Sequence, residues 1–235
     1  MINYNSTDIN FANSSMLWHG SDSKEAYTKN LKEKSALLKR YDWIDKSFEY
    51  SFNSKGFRCS EFTSDPTIMC LGGSTTCGTG LPVDTTWPEL VAKSLNMKCA
   101  NLGQGGGSFD TAFRMCLGYI DKIKPKIVIF LQPGSFRWEL VSENTVHFFG
   151  TWTIDTTHKA YKNYMQEYLI DENNTYFNTY KNILAIESLC KERQIKFLNF
   201  EPKDLAKNDL ARDLAHPGIL SNLQFANTVL SKLQV

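Results

Sequence analysis

The sequence predicts an α/β protein: a three-layer α/β/α sandwich around a mainly parallel sheet, with an N-terminal appendage. Three observations carry that prediction. Apolar runs of strand length recur between residues 67 and 200. Stretches of helical period separate them. The first run ends abruptly in Gly72-Gly73-Ser74. Strands that are apolar on both faces and alternate with helices belong to a parallel sheet covered on both sides.

Residues 1–20 are polar and rich in Asn and Ser, and are expected to be irregular. Residues 21–40 read as one helix, with Ser21 and Ser23 as candidate caps and Leu31, Leu37 and Leu38 as its apolar stripe. Residues 48–52 alternate as a strand does. Asn53-Ser54-Lys55-Gly56 is a turn, and Phe57-Arg58 begins a return strand. Residues 1–65 are thus expected to be an appendage of helix and hairpin, joined at Asp65-Pro66 to a domain of residues 66–235.

In that domain the pattern predicts strand 68–72, helix 88–95, strand 98–102, helix 109–123 and strand 126–131. After an interruption come helix 176–193, strand 195–200 and helix 217–233. Ala112, Met115, Cys116, Tyr119, Ile120 and Ile123 mark the buried face of helix 109–123. Leu220, Leu223, Ala226, Leu230 and Leu233 mark that of the last helix. The interruption, residues 136–175, is an aromatic-rich insertion. Its His147, Phe148, Phe149, Trp152, Tyr161 and Tyr164 suit either a wall that stacks sugars or the insertion's own core.

Composition narrows the function. The 235 residues suit one good-sized domain with an appendage. Hydrophobic residues at 42% and charged residues at 22% are ordinary for a globular protein. A net charge of +1 gives no electrostatic case for nucleic acid or an anionic membrane as partner. No apolar run approaches the ~20 residues of a membrane span. The segment MINYNSTDIN has neither a basic stretch nor an apolar core, so no signal peptide is expected and a cytoplasmic location is. The six cysteines include no CxxC pair and are expected to be free thiols. No His/Cys/carboxylate cluster has metal spacing, and no metal or cofactor is expected.

Four loops leave the carboxyl ends of the strands, where parallel sheets bind ligands. The first carries Ser74. The second is Gly103-Gln104-Gly105-Gly106-Gly107-Ser108, the third runs from Gln132 to Trp138, and the fourth ends in Asp213-Leu214-Ala215-His216-Pro217. Serine is a weak nucleophile that needs a base, which His216 can be, and the base needs a carboxylate such as Asp213 to hold its tautomer. Backbone N–H groups of a glycine-rich loop can face an oxyanion. The same glycines could cradle a phosphate, but position 108 breaks the G-x-G-x-x-G fingerprint and no Walker lysine follows. Asp155 and His158 repeat the D-x-x-H spacing, yet no predicted strand leads into them.

At these residues the chain resembles the SGNH/GDSL hydrolase superfamily over residues 67–235. Gly72-Gly73-Ser74-Thr75 is similar to the first motif, with Gly73 where the commonest members have Asp. Asn101-Leu102-Gly103-Gln104-Gly105-Gly106 is similar to the second, and Asp213 with His216 to the last. The third motif, G-x-N-D, is replaced by Gln132-Pro133-Gly134-Ser135-Phe136-Arg137. The resemblance implies a flavodoxin-like sheet and a serine esterase with Ser74, His216 and Asp213 as its triad. It implies the N–H groups of Ser74 and Gly106 as oxyanion donors, with Ser135 at the expected Asn position and Gln132 or Arg137 as substitutes. The expected substrate is a small-molecule or carbohydrate ester, such as an O-acetyl sugar. An O-acyltransferase using the same triad, or a non-catalytic carbohydrate-binding or structural module, are the alternatives. Residues 52–58 resemble SGNH-like proteins of tailed phages, which makes a virion-associated location the other expectation.

Overall fold

The computed structural model describes residues 3–142, 145–153, 162, 163, 165, 167, 168 and 171–234. The N-terminal elements are β1 (Ser15–Met16), α1 (Lys24–Glu33), α2 (Ser35–Arg40) and β2 (Tyr50–Ser51). Then come β3 (Thr67–Gly72), α3 (Ser74–Cys77), α4 (Trp87–Ser94), β4 (Lys98–Asn101), α5 (Phe109–Ile123) and β5 (Ile127–Leu131). The last are β6 (Arg137–Val141), β7 (Val146–Gly150), α6 (Glu172–Glu192), β8 (Lys196–Phe200) and α7 (Ile219–Leu233).

The parallel sheet has the order β4-β3-β5-β8. Side chains alternate across a strand, and both faces of β3 are buried. Ile68 and Cys70 join Ile129 and Leu131 in a core closed by α4 and α7 through Val91, Phe225 and Val229. Met69 and Leu71 join Val128 and Phe130 in a second core, closed by α5 and α6 through Met115, Tyr119 and Ile186. This is the expected three-layer sandwich. Fully burying a Leu or Phe side chain contributes about 1.5–3 kcal/mol, so these two cores are the main stabilising force. All six residues expected on the inner face of α5 are buried.

The last helix is rotated from expectation. Leu220 and Leu223 are exposed, while Asn222, Phe225, Ala226, Val229 and Leu233 face inward. Asn222 sets this phase: its side-chain oxygen accepts the Trp87 N–H at 3.0 Å, and its amide donates to Gly218.

Two expectations for residues 1–65 are corrected. The single helix 21–40 is broken at Lys34, whose backbone leaves the helical region. Ser23 caps α1 by accepting the Ala26 N–H, and Ser21 does not. Leu38 is buried with Trp43, Leu81 and Ala211, while Leu31 is exposed. The hairpin 48–52/57–58 does not form. Instead β2 pairs antiparallel with β1, Ser15 opposite Ser51. The Asn53 side chain closes a turn by accepting the N–H groups of Lys55 and Phe57. Phe57 then enters the second core, and the Arg58 guanidinium is buried against the carbonyls of Cys77, Gly78 and Leu81. A buried guanidinium needs acceptors, and α3 and its exit supply them where a return strand would not.

The insertion begins as an antiparallel hairpin of β6 and β7. Glu139 of β6 is buried against Arg114 of α5, with bonds of 2.8 and 3.0 Å. All six cysteines are free thiols, five of them buried. Among the described residues no helix is long and apolar enough to cross a membrane.

Candidate active site

β3 ends at Gly72, and Ser74 opens the one-turn helix α3. The Ser74 Oγ lies 2.7 Å from His216 Nε2. His216 Nδ1 lies 2.6 Å from Asp213 Oδ2. The three expected residues therefore form one hydrogen-bonded chain from residue 74 to residue 216. The D-x-x-H spacing has a local cause. Leu214 adopts a left-handed φ of 53°, and Asp213 Oδ1 accepts the N–H groups of Ala215 and His216 at 2.9 and 3.0 Å. Such carboxylate-closed turns are a habit of Asp. The turn brings the imidazole back over its own orienting carboxylate.

The Asp213 side chain is 1% exposed, against 19% for His216. Burial works against its ionisation. The hydrogen bond and charge of His216, with the two backbone N–H groups, outweigh that and hold the carboxyl down to about 2. The carboxylate is thus ionised across the neutral range and able to orient an imidazole.

The loop bearing Asp213 is seated by the N-terminal segment, which no spacing in the sequence announced. The Ser21 hydroxyl donates to Asp213 Oδ2 at 2.9 Å, and the Asn30 amide to the Asp213 carbonyl at 3.3 Å. The neighbouring Arg212 is buried against Asp22 at 2.7 Å, with its guanidinium 4.1 Å from the ring of Trp18 and 3.9 Å from that of Phe48. Asp22 also accepts the Tyr50 hydroxyl, which in turn accepts the Gly80 N–H. The only sequence signal was the polar run Ser21-Asp22-Ser23, which helix capping explained equally well.

The second loop is fixed from both sides. Asn101 donates its amide to the Thr76 carbonyl of α3 and accepts the Gly103 N–H. Gln104 is buried, and its side-chain oxygen accepts from Ser6 and Thr7. Gly106 follows with a left-handed φ of 75°, and a Cβ there would meet Phe148 at 3.2 Å. Ser74 and Gly106 line the same cleft.

The third expected donor is elsewhere. Ser135 is exposed and lines neither of the two cavities beside Ser74. The backbone takes a left-handed turn at Phe136, φ 59°, before β6 begins. Gln132 lines the smaller cavity, but its amide donates to Asn199 at 3.1 Å. Arg137 lines both cavities.

The smaller cavity, about 100 Å³, is walled by Leu131, Pro133, Leu205 and Pro217. The larger, about 500 Å³, opens past His216, Phe148, Trp152 and His19. The insertion's aromatic residues divide accordingly. Phe148 and Trp152 face this cleft, Phe149 is buried against Trp138, and His147 is exposed. Tyr161 and Tyr164, like Asp155 and His158, lie outside the described residues. His19 lies 3.4 Å from Asp8 and packs edge-on against Phe11 and Phe52. Among the described residues no group of three His, Cys or carboxylate side chains is placed to hold a metal ion.

No family model and no curated protein sequence matches the chain. In structure it is similar to solved lipolytic and esterase proteins. One is a lipolytic protein of the G-D-S-L family from Desulfitobacterium hafniense DCB-2: TM-score 0.38, 13% identity, covering 69% of this chain and 97% of that one. Another is an acetyl xylan esterase from the rumen bacterium Butyrivibrio proteoclasticus: TM-score 0.42, 12% identity, covering 80% and 66%. A third is the acetyl xylan esterase AlAXEase: TM-score 0.38, 18% identity, covering 71% and 99%.

Proposed function

We propose that the protein is a serine ester hydrolase acting through an acyl-enzyme. The observation that carries this reading is the continuous chain Ser74–His216–Asp213, with bonds of 2.7 and 2.6 Å. Ser74 Oγ attacks the ester carbonyl carbon as His216 Nε2 takes its proton, and the carbonyl π electrons move onto oxygen. Asp213 holds the imidazole tautomer and stabilises the imidazolium. The oxyanion faces the N–H groups of Ser74 and Gly106. Ser74 heads a helix, so its N–H has no intrahelical acceptor. When the tetrahedral adduct collapses, the C–O bond to the alcohol breaks and the imidazolium returns its proton to the leaving oxygen. Water then repeats the sequence, releases the acid and restores the Ser74 hydroxyl.

The leaving oxygen must sit on the side of its proton donor. His216 lines the larger cleft and not the smaller cavity. The alcohol therefore occupies the cleft of about 500 Å³, and the acyl group the cavity of about 100 Å³. The first suits a sugar stacked on Trp152 and Phe148, and the second a group as short as acetyl. An O-acetylated carbohydrate is the substrate class that these two volumes favour.

A panel of aryl esters of increasing acyl length, run beside acetylated sugars, tests this. Hydrolysis should fall with chain length and vanish in Ser74→Ala, and a fluorophosphonate should label Ser74. Hydrolysis that survives Ser74→Ala would sink the mechanism.

A further inference from the structure

The esterase reading leaves the developing oxyanion with two backbone donors, because Ser135 is outside the site. Arg137 is the side chain that reaches in. It opens β6, two residues before Glu139. Residues two apart on a strand share a face, and Glu139 is pinned inward by Arg114. Arg137 is thereby carried on a strand anchored to the domain rather than on a free loop.

Two contacts hold its guanidinium, and two glycine backbones pass close by it. Nη1 donates to the Gly107 carbonyl at 3.3 Å, next to Gly106. A Cβ added at Gly73 would lie 3.3 Å from the same Nη1, so the group rests against the backbone just before Ser74. Gly134 is similarly close, within 3.5 Å of Nη2 by the same measure. The guanidinium also sits 5.1 Å from the centre of the Trp152 ring. It is thus bonded to the loop of Gly106 and lies close to the loop of Ser74, and it borders both the cavity for the acyl group and the cleft for the alcohol.

Among the described residues no carboxylate forms an ion pair with Arg137. Burial lowers its pKa, yet a guanidinium stays protonated in proteins. A half-buried cation with donors to spare, lining the same two cavities as Ser74, is positioned for negative charge that appears there during reaction.

We propose that Arg137 is the third oxyanion donor of this site, directing a guanidinium N–H at the carbonyl oxygen as it takes up charge. Glycine at position 73 belongs to the same arrangement, since it leaves room for the guanidinium beside the nucleophile. The inference rests on the esterase reading above, and the experiment separates the two.

Kinetics of Arg137→Ala, Arg137→Gln and Arg137→Lys are measured on a neutral acetyl ester and on an acetylated uronic acid. Melting temperature and fluorophosphonate labelling of Ser74 are recorded alongside. Losing one oxyanion donor costs ~10²–10³ in rate. Arg137→Ala should therefore lower kcat by about that factor on both esters, with little change in KM. Arg137→Lys should recover part of the loss, and so should millimolar free guanidinium added to the alanine variant. If the alanine variant melts early, Arg137→Gln, which keeps most of the stem over Trp152, should still lose kcat at wild-type melting temperature. An unchanged kcat in the variants that melt normally overturns the assignment. So does a rise in KM confined to the uronic acid, which would make Arg137 a subsite for substrate charge. If the wild type shows no Ser74-dependent hydrolysis, the esterase reading itself falls, and this inference with it.

Discussion

Asp22→Ala tests the clamp between the N-terminal segment and the loop that carries Asp213. The carboxylate is 1% exposed and its partner Arg212 is 2% exposed. It takes bonds of 3.1 and 3.2 Å from Arg212 Nε, 2.7 Å from Nη2, and 2.6 Å from the Tyr50 hydroxyl. Removing it strands a buried guanidinium, which costs about 3–5 kcal/mol, and deprives Tyr50 of its acceptor as well. A domain of this size loses about 2–4 °C per kcal/mol, so the melt should fall by roughly 10 °C. Asp22→Asn keeps one acceptor for Arg212 and should fall in between. Differential scanning calorimetry reads both, and ester hydrolysis well below the melt should drop too, because Asp213 adjoins Arg212. A loss smaller than about 3 °C for Asp22→Ala would refute the reasoning, since it would mean that Arg212 reaches water when its partner is removed.

Acid should weaken the protein through Asp213. Its carboxyl is held at about 2 when folded, below the ordinary 3.8, so its stabilisation is present above about pH 4 and is lost as pH falls toward 2. The amount is about 2 kcal/mol. Urea midpoints between pH 5 and pH 2 should decline more steeply for the wild type than for Asp213→Asn, and parallel slopes would contradict this. Gly106→Ala forces a side chain into a left-handed φ and against Phe148. It should cost about 1–2 kcal/mol and lower kcat, measured beside a urea melt; an alanine variant with wild-type kcat and wild-type stability would contradict the strain argued for this position.

Much of the site was legible because local rules govern its pieces. An apolar run ending at glycines is a buried strand that stops at a turn, whatever surrounds it. Asp213 and His216 are joined by a turn three residues long, so their spacing alone brings them together. The place of Gly106 in the cleft of Ser74 was legible for a similar reason, since a glycine-rich loop follows the end of a neighbouring strand. Ser135 was misplaced because a count of residues from the preceding strand cannot register the left-handed turn at Phe136 that takes Ser135 out to solvent. The phase of α7 was misjudged because an amide, Asn222, is buried where leucines were expected to be, held by a bond to Trp87 from 135 residues away.

By itself, then, the sequence determined the alternation of strands and helices, the strand-end position of Ser74 and the pairing of Asp213 with His216. Each of these depends on period, turn chemistry or short spacing. Tertiary structure alone decided that Ser21 and Asp22 brace the loop of Asp213 and His216, that Tyr50 pairs with Met16 rather than entering a hairpin, and that Arg137 lines the same cavities as Ser74. Those are contacts between residues far apart in the chain. They arise because buried charges and hydroxyls must find partners wherever the packed core brings them, and that is a property of the folded surface rather than of any local pattern.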